Sequence, residues 1–128
     1  MPGRRGEHMH VRLTMIGFAA VLLLAGAEAR AAELLMVERT GCAWCERWRA
    51  QVGPVYPKTD EGRTAPLRRA DLDRMPEDLS LAGPVVFTPT FILVDDGREI
   101  GRITGYADES MFWGLLGSLL RKHAGGAG

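Results

Sequence analysis

Cysteine is scarce in this chain, with two residues in 128, at positions 42 and 45. Two cysteines cannot staple a disulfide-rich scaffold, so the fold must rest on an ordinary core. Histidine is scarce too. Of three, only His123 lies beyond residue 31, which leaves too few ligands for a four-coordinate zinc site. An excess of one charge is also missing, with 16 basic against 16 acidic side chains. The basic footprint of a nucleic-acid binder is therefore absent. No apolar run reaches the roughly 20 residues that cross a bilayer comfortably, and no internal repeat is present. What remains, 46% hydrophobic and 25% charged, fits a single globular domain.

The neutral total conceals two unlike parts. Residues 1–31 carry Arg4, Arg5, Arg12 and Arg30 against Glu7 and Glu28, leaving 12 basic and 14 acidic groups for the rest. The basic start, the uncharged run Leu13–Ala27 and the small residues after it form the three-part layout of a secretory signal. Cleavage is expected after Ala29 or Ala31. The export segment is then 1–31, the folded domain 32–124, and a glycine-rich flexible tail 125–128. Export places the protein in the periplasm, an oxidising compartment where a cysteine pair can do disulfide chemistry.

Hydrophobic patterning predicts the elements of the mature chain. Glu33–Glu38 reads as a buried strand, and Cys42–Val52 as a helix with Trp44, Trp48 and Val52 at four-residue spacing. Pro54–Ala65 reads as a loop with one helical turn around Lys58–Gly62, and Pro66–Leu72 as a strand with Leu67 and Ala70 inward. Pro76–Leu81 suits a short helix with proline in its first turn. Thr90–Val94 is a β-branched and aromatic strand, and Asp95-Asp96-Gly97 a hairpin turn into a strand over Arg98–Thr104. Asp108 is placed to cap a last helix whose apolar face is Met111, Phe112, Leu115, Leu116, Leu119 and Leu120, with Lys122 and His123 at its end. The order βαβ then ββα gives an α/β fold with a mixed central sheet flanked by helices.

Cys42 and Cys45 stand three apart at the start of a helix that follows a strand and a turn. Zinc lacks ligands, and covalent haem lacks a histidine after the second cysteine, where Glu46 stands. Inert buried thiols fit poorly with an exposed turn in an exported chain. A dithiol/disulfide centre fits. Unpaired N–H groups and the helix dipole stabilise a thiolate at Cys42, the nucleophile, while Cys45, one turn further in, resolves a mixed disulfide. Such a centre needs no other cofactor. Trp44, Trp48, Phe112 and Trp113 offer a partner-binding patch as one reading; Trp48 and Phe112 read better as core, and Trp44, lying between the cysteines, is the best contact residue for a partner. Arg68-Arg69 reads as a charged pair that keeps a strand edge from mispairing, with steering of an acidic partner as the other reading.

From Glu33 to Leu120 the chain resembles the thioredoxin superfamily. The resemblance rests on strand–turn–CxxC–helix at Cys42 and Cys45, on Thr88-Pro89-Thr90 before a central strand, and on the Asp96-Gly97 hairpin with Gly105-Tyr106. The run GCAWCERWRAQVGPVYPKTDEGRTAPLRRADL is similar to the periplasmic thioredoxins of bacterial sulfur-oxidation (Sox) systems, the SoxS type. The resemblance implies a thioredoxin-like fold, a cis-proline at Pro89 packed opposite the disulfide, and Thr88 offering backbone to an extended substrate. It also implies reduction of a partner-protein disulfide or oxidised cysteine, on a Sox sulfur-carrier protein, by a monomer that draws electrons from an inner-membrane thiol transporter. Disulfide oxidase or isomerase activity, and a non-catalytic peptide-binding module, remain open. Two departures stand out. Ala43-Trp44 fills the dipeptide between the cysteines, and Met36 occupies the position of the family's buried acid. Glu38, Glu46 or water are left as proton carriers for Cys45, although both carboxylates read more readily as solvated charges.

Overall fold

The computed structural model describes Gly3 and residues 32–126. Apart from Gly3, the export segment lies outside the described residues. Among the described residues no helix is long and apolar enough to cross a membrane.

The element order is β1 (Glu33–Glu38), α1 (Ala43–Gln51), a 3-10 turn (Tyr56–Lys58), α2 (Asp60–Thr64), β2 (Leu67–Asp71), β3 (Thr90–Asp95), β4 (Arg98–Thr104) and α3 (Glu109–Gly126). The strands form one mixed sheet in the order β2-β1-β3-β4. β1 runs parallel to β2, from Leu34 opposite Leu67 to Glu38 opposite Asp71, and antiparallel to β3, from Glu33 opposite Val94 to Val37 opposite Thr90. The expected α/β architecture, a mixed sheet with a parallel crossover and then an antiparallel hairpin, is present. The hairpin turn holds Asp96 at φ 49° and Gly97 at φ 75°. Two consecutive positive φ values suit the tight turn that an Asp-Gly pair favours.

Because side chains alternate along a strand, β1 and β3 feed two separate cores. Leu34, Met36, Phe91 and Leu93 face α1 and α3 and pack with Trp48, Val52, Tyr56, Phe112 and Leu116. Rings dominate this side: Trp48 lies 5.2 Å from Phe91 and 5.6 Å from Phe112, and Phe91 lies 4.9 Å from Phe112, centroid to centroid. Leu35, Val37, Ile92 and Val94 face the other way, against Ala70, Leu72, Met75, Leu79, Leu81 and Val85. Leu67 and Ala70 are both inward as expected, but toward opposite cores.

Several local expectations need correction. Pro76–Leu81 is no helix. Ser80 instead donates its N–H to the Gly97 carbonyl at 2.7 Å and accepts the Glu99 N–H at 3.0 Å, an extended bridge beside the hairpin. Those bonds, with Leu79 and Leu81 packed on the second core, outweigh a weak helix propensity. Pro54–Ala65 carries a 3-10 turn and a short helix rather than one turn. Thr59 joins them, its hydroxyl donating to the Tyr56 carbonyl at 2.6 Å and accepting from the Gly62 N–H at 3.0 Å. A Cβ at Gly62 would collide with the Tyr56 carbonyl oxygen, so the glycine permits this close approach.

Asp108 caps α3, its carboxylate accepting the Met111 N–H at 2.8 Å. On that helix Leu115 is exposed and Trp113 takes its place against the core. Helical structure extends to Gly126, two residues into the tail expected from Gly125. Near this end His123 pairs with Asp95 at 3.1 Å.

Candidate functional site

The chain leaves β1 at Glu38 and turns at Gly41, whose φ is 79°. Cys42 then enters α1 as its N-cap, with extended backbone and with its Sγ accepting the Cys45 N–H at 3.1 Å. A sulfur thus fills the capping place that serine or aspartate oxygen commonly takes. Cys42 and Cys45 are joined by a disulfide with their Cα atoms 5.2 Å apart. The pair is unequal in access. Cys45 is fully buried within the helix-covered core, while Cys42 is only partly covered. Trp44 stands 50% exposed between them, with the Arg47 guanidinium 5.4 Å from its ring centroid, within cation–π range.

The Thr88–Pro89 peptide is cis. Pro89 is buried and Thr88 half-exposed. The Pro89 carbonyl accepts the Gly105 N–H at 2.8 Å, and the Thr90 hydroxyl donates to the Phe87 carbonyl at 2.6 Å. The register brings this loop to the cysteines' end of the sheet: Thr90, the first residue of β3, pairs with Val37 near the end of β1. Cys42, Trp44, Cys45, Thr88 and Pro89, separated by up to 47 positions in the sequence, therefore gather at one end of one sheet.

Glu38 departs from the solvated state read for it. It is 8% exposed, and its carboxylate accepts from Arg49 of α1 and Arg69 of β2. This hydrogen bond to Glu38, more than burial opposes it, raises the Arg69 pKa above its ordinary value. The trio fastens α1 to the sheet beneath the Cys42 turn and borders a cleft of about 440 Å³ that Thr40, Gly41 and Glu46 also line. Glu46 is exposed, as read, and Met36 is fully buried in the apolar core. Arg68 is engaged as well: its guanidinium donates to both Asp78 oxygens at 2.9 and 3.0 Å. That leaves it poorly placed to steer a partner. Trp48 and Phe112 are core, as expected.

Sequence reasoning missed Arg49 and the exposed pair Val86-Phe87. Nothing in the local pattern signals that Glu38, at the end of a buried strand, meets an arginine 11 residues and another 31 residues away. The disulfide is itself a redox group. Among the described residues no cluster of three His, Cys, Asp or Glu side chains is placed to hold a metal ion.

No family model and no curated protein matches the chain. Solved structures do match. The periplasmic thioredoxin SoxS from Paracoccus pantotrophus, in its reduced form, is 47% identical, covering 72% of this chain and 98% of its own, with a TM-score of 0.70. The germline-specific thioredoxin protein Deadhead from Drosophila melanogaster shares the fold at 21% identity and a TM-score of 0.53, over 70% of this chain and 82% of its own. Fasciola hepatica thioredoxin does so at 18% identity and a TM-score of 0.51, over 70% and 81% respectively.

Proposed function

This chain belongs to the thioredoxin superfamily, and from that premise we propose that it is an exported, periplasmic protein-disulfide reductase that keeps a thiol protein of sulfur oxidation reduced. Thiol–disulfide oxidoreductase chemistry at a Cys42–Cys45 redox disulfide follows from the fold and the bonded pair. The observation that supports the periplasmic, sulfur-oxidation assignment is the 47% identity to the periplasmic thioredoxin SoxS. The inequality of the two sulfurs, one partly exposed at a helix N-cap and one fully buried, supports Cys42 as nucleophile and Cys45 as resolving thiol.

In the dithiol form the Cys42 thiolate, stabilised by first-turn N–H groups, attacks one sulfur of the partner's disulfide. A Cys42–partner bond forms, and the partner's other sulfur leaves as thiolate and takes a proton from water. Cys45 then gives its proton to solvent and attacks Cys42 Sγ. The Cys42–Cys45 bond closes and the second partner thiolate is released and protonated. Two electrons have passed to the partner, and an inner-membrane thiol transporter supplies two more, which with two protons from solvent reopen the Cys42–Cys45 bond to the dithiol. Met36 fills the position of the family's buried acid, and Glu38 is occupied by Arg49 and Arg69, which leaves Glu46 or water to carry the Cys45 proton. Thr88 and Pro89 border the groove in which the partner segment lies, and Trp44 covers it from the helix side. The relative found in the periplasm supports export, with the cut after Ala29 or Ala31.

The test is a trap. Cys45→Ser should accumulate a mixed disulfide with its partner in cells, and Cys42→Ser should not; mass spectrometry identifies the trapped protein and the mature N-terminus. Capture of a sulfur-carrier protein supports the assignment, whereas capture only of unrelated thiol proteins removes it. A potential near thioredoxin's approximately −270 mV supports a reductase, and one near −120 mV would make the protein an oxidase.

A further inference from the structure

Residues 82–94 contain no charged side chain, and two of them, Val86 and Phe87, stand 66% and 65% exposed. No other large hydrophobic among the described residues is so open. Their neighbour Val85 turns inward and packs on the second core, so the segment has already used the apolar contact that the fold offers it.

The backbone that presents them is tied on both sides. Upstream, the Arg102 guanidinium donates to the Gly83 and Pro84 carbonyls, at 3.0 Å each, and to Glu99 at 2.6 and 3.0 Å. The Glu99 carboxylate also accepts the Ala82 N–H at 3.3 Å. Downstream, the Phe87 carbonyl is held by the Thr90 hydroxyl and the Pro89 carbonyl by Gly105. Two adjacent apolar side chains are thus displayed in water by an anchored backbone, directly before Thr88–Pro89 and at the cysteines' end of the sheet. Isolated surface hydrophobics are ordinary, but an apolar pair adjoining a reactive site is the pattern of a contact surface.

We propose that Val86 and Phe87 form an apolar ledge that selects the partner's cysteine-bearing segment, favouring an extended, uncharged stretch with aliphatic or aromatic residues beside its cysteine. This rests on the thiol–disulfide reading above and names the substrate class of that same site. The lack of charge on the ledge sets the uncharged character of the segment. Area argues against a second copy as occupant. A fully buried aromatic covers about 150–250 Å², so two partly exposed rings, Trp44 and Phe87, and one valine fall well short of the roughly 800 Å² per partner of a stable interface. A segment that docks for one turnover matches that area.

The test compares two synthetic peptides, each a symmetric disulfide through its single cysteine, in the purified protein as its host produces it. One peptide flanks the cysteine with Leu and Phe, the other with Ser and Gly; hydroxyethyl disulfide is the third substrate. Wild type should favour the apolar peptide by about tenfold in kcat/KM, the gain from covering roughly 55 Å² of apolar surface at about 25 cal/mol per Å². Val86→Ser/Phe87→Ser should bring the ratio near one, Phe87→Ser alone should lower it, and Phe87→Leu should keep most of it. The single variants serve as readout if the double variant folds poorly. A wild-type ratio near one, or a ratio unchanged in the serine variants, overturns the ledge. So does a dimer that dissociates in those variants while the ratio holds, since a second copy would then be the occupant. Turnover of hydroxyethyl disulfide but neither peptide sinks the ledge alone; turnover of none of the three sinks the oxidoreductase reading and the ledge with it.

Discussion

The two faces of the sheet are closed by different means. One lies under α1 and α3 and is filled by rings: Trp48, Tyr56, Phe91 and Phe112 interlock there around Leu34, Met36 and Leu93. The other lies under residues 72–89, a connection without a helix. That connection adds Leu72, Met75, Leu79, Leu81 and Val85 to the second core, and is otherwise tied by Arg68 to Asp78, by Ser80 to the hairpin and by Arg102 to two carbonyls. The helix face holds its shape by apolar packing, the strap face by polar ties placed along an irregular backbone. Each contributes one half of the proposed site, because α1 carries Cys45 with Cys42 as its N-cap and the strap ends in Thr88–Pro89.

The largest test of this contrast sets one face against the other. Phe112→Ala, at the centre of the ring cluster, should cost about 3–5 kcal/mol of unfolding free energy, the usual range for a buried aromatic. Leu79→Ala removes a side chain that is only half-buried and should cost about 1 kcal/mol, since only the buried part of its area is lost. Urea denaturation measures both. Equal losses would mean that the strap packs as tightly as the helices, and the comparison would fail.

This difference also decided what could be read in the chain. The helix face announces itself through periodicity: Trp48 on α1 and Val52 at its C-cap, and Phe112 and Leu116 on α3, repeat at helical spacing, and the strands alternate or are apolar throughout. The active pair was equally legible, since strand, turn, CxxC and helix are contiguous. The strap was not. Its conformation depends on bonds from Ser80 to Gly97 and Glu99 and from Arg102 to Gly83 and Pro84, partners 17 to 19 residues apart, and no periodic pattern encodes such ties. Proline followed by acids therefore suggested a helix over Pro76–Leu81 that the hairpin contacts displace. Glu38 eluded the reading for the same reason, its arginines arriving from two other elements.

A mid-sized effect is expected where the strap is tied. The Glu99 side chain is 6% exposed beside Arg102, so Arg102→Gln leaves a nearly buried carboxylate without its charge partner and two backbone carbonyls without their donor. The cost should be about 2–3 kcal/mol, below the full range for a buried pair because the guanidinium is partly solvated. The location of the loss sharpens the comparison. Amide hydrogen exchange should accelerate over residues 82–88 while the amides of α1 and α3 keep their protection. Uniform acceleration would mean that the strap and the helix face open as one unit.

A smaller effect than the loss of the Arg102 ties concerns a polar atom on the apolar face. The Tyr56 hydroxyl donates to the Ala65 carbonyl at 2.6 Å, which ties the loop after α1 to the residue just before β2. Tyr56→Phe removes that bond and leaves a buried acceptor, at a cost of about 1–2 kcal/mol at neutral pH. Burial, followed by the nearby Glu61 charge, raises the Tyr56 pKa above its ordinary value. The folded protein therefore holds this proton more firmly than the unfolded chain does. The resulting stability is fully present below about pH 10, the unfolded value for tyrosine. It is lost as pH rises from there through the raised folded value, because only the unfolded chain then gains by releasing the proton. On the strap face, hydrogen bonds to Asp78 and Glu99 raise the Arg68 and Arg102 pKa values, so these guanidiniums stay charged over the same range. Alkali should thus act through the helix face. In urea denaturation repeated between pH 8 and 11, wild type should lose stability more steeply above about pH 10 than Tyr56→Phe, so that the two converge. Parallel curves would show that Tyr56 does not set the alkaline limit of the fold.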